Sequence, residues 1–475
     1  MSYFADLALQ HVDGVWRQGS GAWDIIDFDP YSGEKLASVT VATESEIDDA
    51  FAAAERARPA WAAAGGHARR EVLERVVRLI EERGTALAGA LTAETGTTRS
   101  RAEYELRLAR ECLRDAGALA VEPSVHMPPS PVEGKENHVL REPAGVVCAI
   151  TPFHHPFLRA LATVAPALAL GNTVVLKPHQ STPVAGGTLL AHLLEEAGLP
   201  GGVLNVVITD IAEIGDALLA HPTPGVIAYA GSERTGREVA AVAAGHFKRC
   251  VLDVSGGGPF IVLDDADVRR AAEAACFSRL VHQGQGGGAP ASRVLVDRAV
   301  EREFTEAFTA LASALVTGDP RDPATRVGPL VSPAQAESTA GLLRQAVAGG
   351  AVALVPGGTE EVDGALLRPT VLGELPEDAA LLHQEVHGPV ALVLPFKDED
   401  EAVRLASRTP YGSGGAVHTR DLSRGLALAH RLEGGAVQIN GTGVPDEPLV
   451  GRGALEAFTK VRWLSVQHGR SVFPF

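Results

Sequence analysis

The residues able to do chemistry gather around one stretch that carries almost none itself. Residues 282–293 read His-Gln-Gly-Gln-Gly-Gly-Gly-Ala-Pro-Ala-Ser-Arg, with glycine at four of the five positions from Gly284 to Gly288. Such a run is neither helix interior nor central strand, because each glycine there costs roughly 1 kcal/mol against alanine. Val294-Leu295-Val296 follows as a strand. The stretch is therefore a side-chain-poor loop feeding a strand, where backbone can approach a ligand closely. Taken alone, the window also fits a surface linker. It contains no thiol. The four cysteines, Cys112, Cys148, Cys250 and Cys276, lie far apart without CxxC spacing, which points to neither a disulfide framework nor a zinc site. Cys250 and Cys276 read as buried packing. Elsewhere, imidazoles stand at His154, His282 and His387, and a carboxylate at Asp253. An imidazole can donate, accept and transfer a proton near neutral pH.

The elements that must position these groups alternate between strand and helix from Gly145 onward. Val146–Ile150 reads as a strand, Pro156–Leu170 as a helix, Thr173–Leu176 as a strand and Pro183–Ala197 as a helix; strands recur at Val203–Val207 and Val226–Tyr229. That order implies right-handed crossovers and a parallel, doubly wound sheet. A second alternation begins at Phe260–Leu263 and runs to about residue 430. Upstream, residues 7–41 read as short strands and turns. Thr43-Glu44-Ser45-Glu46 has the form of a capping box and opens a helix to Ala64. Two further helices are expected at His67–Thr95 and Ser100–Leu119. Residues 121–140, with four prolines, read as an extended arm.

Composition sets the outer bounds. A chain of 475 residues makes two or more domains, and 45% hydrophobic with 21% charged residues is ordinary for a globular protein. A net charge of −17 argues against nucleic acid and anionic membranes as partners and leaves a small-molecule substrate. No apolar run is long enough to span a bilayer. The first residues lack a basic stretch before an apolar core, so a cytoplasmic location is expected.

Read in order, the motifs resemble those of the aldehyde dehydrogenase superfamily along essentially the whole chain. The landmarks are Ile150-Thr151-Pro152-Phe153, Gly171 to Pro178, Gly231-Ser232, Pro259 to Asp267, Gly284-Gln285 and Glu385 to Val390. The tail, Thr459 to Gln467 and then Phe473-Pro474-Phe475, is most similar to the benzaldehyde and vanillin dehydrogenase branch. The resemblance implies an α/β fold of two doubly wound domains plus a β oligomerisation arm. Residues 1–120 and 141–252 would form a Rossmann-like NAD(P)-binding domain, and 253–435 the catalytic-type domain. Residues 121–140 and 455–475 would form the arm. A homodimer or tetramer follows, or a pairing with an active homologue.

The same resemblance distributes roles. Pro152, Phe153, Lys177, Gln180, Gly231, Ser232, Glu385 and His387 would contact NAD or NADP. Gln180 stands where relatives place a ribose-binding acid, so a 2′-phosphate is permitted. Thr209-Asp210-Ile211 replaces a Gly-x-Gly that faces the cofactor in relatives, which counts against binding. The nucleophilic cysteine's place falls at Gly287 or Gly288, depending on how a one-residue insertion is absorbed. Asp253 occupies the general base's position with a side chain shorter by one bond, about 1.5 Å. His154 replaces the oxyanion-binding asparagine, and His387 a phenylalanine. With His282, these residues would bring three imidazoles and one carboxylate toward one cleft; no metal is expected there. The resemblance also implies a deletion of about a dozen residues beside Asp446–Ala454, where relatives wall the substrate entrance.

The expected function is a non-standard NAD(P)-linked oxidoreductase. It would act on an aromatic-type aldehyde, alcohol or imine by direct hydride transfer, with acid–base help from His154 and Asp253. The alternatives are a catalytically silent scaffold and a non-redox acid–base enzyme.

Overall fold

The computed structural model describes residues 3–122, 125–210, 214–254, 258–284, 291–360, 362–408, 414–433, 435–444 and 451–469. After a short helix α1 (Tyr3–Leu7), the chain makes β1 (Gln10–Val12), β2 (Val15–Arg17), β3 (Asp24–Phe28) and β4 (Lys35–Thr40). Three long helices follow: α2 (Glu44–Ala63), α3 (Gly66–Thr95) and α4 (Arg99–Ala120). The expected cap holds α2 in place, since the Thr43 N–H donates to Glu46 Oε2 at 2.9 Å. Next come β5 (Val125–His126), β6 (Lys135–Pro143), β7 (Val146–Ile150), α5 (Pro156–Ala169), β8 (Thr173–Lys177), α6 (Leu189–Glu196), β9 (Leu204–Val206), β10 (Val226–Gly231) and β11 (Arg249–Val254). The remaining strands are β12 (Pro259–Val262), β13 (Arg293–Asp297), β14 (Val352–Val355), β15 (Thr370–Gly373), β16 (Val390–Phe396), β17 (Gly414–His418), β18 (Ala436–Ile439) and β19 (Thr459–Gln467).

Among the described residues these strands form two seven-stranded sheets. The first has the order β11-β10-β7-β8-β9-β1-β2, the second β14-β15-β16-β13-β12-β17-β18. The central strands of both are parallel and nearly continuously apolar, as strands covered on both faces must be. A separate three-stranded sheet pairs β19 with β6 in antiparallel register, Thr459 opposite Pro143 and Gln467 opposite Lys135. Val461, Trp463, Leu464 and Val466 of β19 are exposed.

The helix expected from Pro183 is replaced at its start by a π-helical turn, Val184–Thr188. Its cause lies in α3. The Glu94 carboxylate accepts the N–H groups of Val184 and Ala185 at 2.8 and 2.6 Å. Asp27 of β3 abuts Glu94, and both are 1% exposed. Burial pushes the Asp27 carboxyl up to about 7 and Glu94 well above the carboxylate range. The pair therefore holds a proton that free carboxylates would release.

Candidate active site

The carboxyl ends of β7, β8 and β10 meet, with Ile150 in register with both Lys177 and Tyr229. An open parallel sheet presents its ligand crevice there, outside the strand ends. The chain leaving β7 supplies Pro152, Phe153, His154 and His155 before Pro156 starts α5. β10 ends at Gly231, and the Ser232 hydroxyl caps the helix Glu233–Gly245 by accepting the Thr235 N–H at 3.4 Å.

Phe153 is the hub of one group. Its ring lies edge-on to His154, His179 and His387, with centroids 5.7, 5.3 and 6.2 Å away. His154 is 7% exposed, and its Nε2 has no hydrogen-bond partner among the described residues. Burial, the Arg159 charge and the neighbouring imidazoles hold its pKa well below the usual value. His179 is pulled down to about 4 by burial and Lys177, and His387 to about 4 by burial and Arg279. All three imidazoles are neutral at pH 7. Each then offers one donor and one acceptor.

A second group forms behind the first. His155 has a left-handed backbone, φ 43°, which costs a non-glycine residue roughly 1 kcal/mol. Its Nδ1 lies 3.5 Å from the Glu105 carboxylate and its Nε2 3.3 Å from the Arg101 guanidinium, both on α4. Glu105 also accepts the Leu158 N–H at 3.0 Å, satisfying one of the free donors in the first turn of α5. His282 packs 5.8 Å from the His155 ring, with Tyr104 and Phe277 edge-on at 5.5 and 4.8 Å. His282 is thus a packed residue within an aromatic box.

The start of the glycine loop is held tightly. Gln283 has φ 59°, accepts from Arg101 and donates to the Gly328 and Pro329 carbonyls. Gly284 has φ 50°, and its carbonyl accepts the Gly388 N–H at 3.1 Å. A Cβ there would collide with the Gly388 carbonyl and lie 2.6 Å from the Arg279 guanidinium carbon. Glycine is obligatory at that position. Arg279 in turn donates to the Val386 and Val390 carbonyls, fixing the segment that carries Glu385 and His387. Gly287, Gly288 and the Asp446–Val450 stretch lie outside the described residues.

Asp253 is not grouped with the imidazoles. It sits on β11, half-exposed, and is ion-paired with Arg159 of α5. Among the cofactor candidates, Lys177 is half-buried, faces Asp210 and donates to the Pro178 carbonyl at 3.4 Å. Burial lowers its pKa while Asp210 opposes that shift. Gln180 is exposed. His387 Nε2 lies 3.9 Å from the Glu385 carboxylate, and its Nδ1 is buried without a hydrogen-bond partner among the described residues. Among the described residues, no three of His, Cys, Asp and Glu are grouped to hold a metal.

Sequence reasoning missed Arg101, Tyr104, Glu105, Arg159 and His179 as parts of the site. For Arg101 and Glu105 a signal existed. They share a face of α4 with Ala102, Leu106 and Ala109, and charges within an apolar stripe require partners.

The model of the aldehyde dehydrogenase family matches residues 16–454. The chain belongs to the aldehyde dehydrogenase family. It is 40% identical over 489 residues to benzaldehyde dehydrogenase YfmT of Bacillus subtilis, with all of both chains covered. It is 35% identical over 477 residues to a vanillin dehydrogenase of Corynebacterium glutamicum, covering 97% of this chain and 98% of that one. The solved structure of an NAD-dependent benzaldehyde dehydrogenase from Corynebacterium glutamicum superposes with a TM-score of 0.93 at 33% identity, covering 99% of each chain.

Cys112 and Cys148 are fully buried, and burial pushes both up to about 12. Cys276 is raised to about 11 by burial, and the half-buried Cys250 is raised as well. None of the four is prepared as a thiolate near neutral pH.

Proposed function

We propose that this aldehyde dehydrogenase homologue is an NAD(P)-linked oxidoreductase that works without a cysteine nucleophile, with His154 as the proton acceptor. Its substrate is a small aromatic-type aldehyde, alcohol or imine. The observation that carries this reading is the buried, neutral His154 imidazole whose Nε2 has no partner among the described residues. A buried ring nitrogen without a partner costs about 1–3 kcal/mol, which a substrate hydroxyl recovers by donating to it.

The residues at the strand ends fit a dinucleotide. Lys177 and Gln180 would hold the adenosine ribose, and the helix N-terminus at Ser232 the pyrophosphate. Glu385 and His387 would hold the nicotinamide ribose, the unpartnered His387 Nδ1 being available for a hydroxyl. Gln180 carries no charge, so NAD and NADP are both admitted. When bound, the dinucleotide supplies the hydride acceptor. For an aldehyde hydrate, His154 takes the hydroxyl proton as the C–H bond gives up its electron pair, and the carboxylic acid forms without an enzyme–substrate bond. Phe153 and its surrounding imidazoles exclude water from the reacting carbon. The exposed apolar side chains on both faces of β19 support subunit pairing.

Calorimetric titration with the oxidised and reduced forms of NAD and NADP tests the reading. Micromolar binding of one form supports it. No heat up to millimolar concentration of any form would overturn it.

A further inference from the structure

Arg159 lies in the first turns of α5, and its guanidinium reaches across to β11, where it pairs with Asp253. Its backbone N–H donates to the His155 carbonyl at 2.9 Å, and its charge bears on His154 and His155, lowering the pKa of both. A guanidinium thus links the imidazole segment to a carboxylate at the solvent boundary. The two partners are unequal. The Arg159 side chain is 22% exposed and that of Asp253 47%. A half-exposed carboxylate leaves an ion pair for water at little cost, because such pairs contribute about 0–1 kcal/mol. The guanidinium cannot leave as cheaply and needs an acceptor wherever it stays.

The surroundings favour an incoming anion over an incoming neutral group. Arg101 stands behind His155, fully buried, with its Nε unpartnered among the described residues. Glu105 is already engaged by the Leu158 N–H and by His155. The N-terminal end of α5, from which Arg159 projects, adds its own positive potential.

We propose that Arg159 is the substrate-anion site, taking an aldehyde or alcohol that carries a carboxylate at its far end and thereby displacing Asp253. Asp253 holds the site when it is empty. Substrate exchange anchors the ligand by a charge-assisted, two-point contact and releases the Asp253 carboxylate to solvent. The carboxylate-bearing substrate class rests on the redox reading above; the anion site itself does not.

The test is calorimetric binding of 4-formylbenzoate against 4-formylbenzamide, without cofactor, to the intact protein. The acid is expected to bind about tenfold or more tightly than the amide, the scale of one charge-assisted contact. Arg159→Gln should bring the two to parity. Asp253→Asn, at an exposed position, should tighten the acid several-fold and leave the amide unchanged. Equal affinities in the unaltered protein, or an Asp253→Asn variant that fails to tighten the acid, would overturn the proposal. An acid preference without dinucleotide binding would sink the redox reading alone. Dinucleotide binding without an acid preference would sink the anion site alone.

Discussion

Gln283 and Arg101 join the glycine loop to α4: the Gln283 side-chain oxygen accepts from the buried guanidinium, while its amide donates to the Gly328 and Pro329 carbonyls at 2.6 and 3.1 Å. Burial pulls the Arg101 pKa down to about 10, so it remains charged at neutral pH. Arg101→Met should cost about 3 kcal/mol, because the Gln283 oxygen and Glu105 would be left buried without their cationic partner. The midpoint of guanidinium unfolding reads this out. A loss below about 1 kcal/mol would mean that the link does not hold the loop.

The Asp27–Glu94 pair makes stability depend on pH with a definite sign. Both folded-state pKa values are raised, so between the unfolded carboxyl value near 4 and the folded Asp27 value of about 7 the folded state binds more protons. Stability from this pair is present at low pH and drains away as pH rises through that window. Asp27→Asn removes one of the two acids and should raise the melting temperature more at pH 8 than at pH 5. The difference expected is about 2 °C or more. An equal effect at both values would show that the shared proton is not at issue.

The imidazoles act in the opposite direction. His154, His179 and His387 have folded pKa values below that of a free histidine, so the unfolded chain takes up protons first. Their contribution is complete above pH 6.5 and is lost as pH falls below it. The acid limb of kcat/KM should accordingly lie well below the free-histidine value of about 6.5. His154→Ala should lower kcat by about a hundredfold, within the range for general base catalysis, with dinucleotide affinity unchanged. A limb at pH 6.5 would assign the reaction to some other, less buried group.

Thiol chemistry is tested most simply with iodoacetamide at pH 8. Turnover should survive, with slow labelling confined to half-buried Cys250. Rapid inactivation would identify a working thiolate.

Much of this architecture could be read from residues whose neighbours are set locally. Val146–Ile150 and Thr173–Lys177 were recognisable as covered parallel strands because neither has a polar face. Thr43 and Glu46 announced α2. The glycine at 284 was legible as a close backbone approach, although the Gly388 carbonyl that a side chain would strike belongs to a segment about a hundred residues away. The π-helical turn at Val184 was not legible, since the carboxylate that takes its two N–H groups belongs to α3. The fate of Asp253 was hidden in the same way. Its partner lies 94 residues earlier, on a helix whose placement over β11 no local pattern encodes. His154 was singled out by its motif, while the sequence grouped His282 with it in the same cleft. The structure separates them by surroundings, an aromatic box for one and an unpartnered nitrogen for the other.

The antiparallel pairing of β6 with β19 joins Arg141 to Thr459, 318 residues apart in sequence. At ordinary elongation rates β6 leaves the ribosome roughly 15–60 s before its partner exists. During that interval the nascent chain carries an unfilled strand edge on β6 while the strands of both seven-stranded sheets are still being made. Synthesis of this protein therefore has a period of vulnerability to wrong pairing, above all with neighbouring copies on the same message, and it ends only when Thr459–Gln467 emerges.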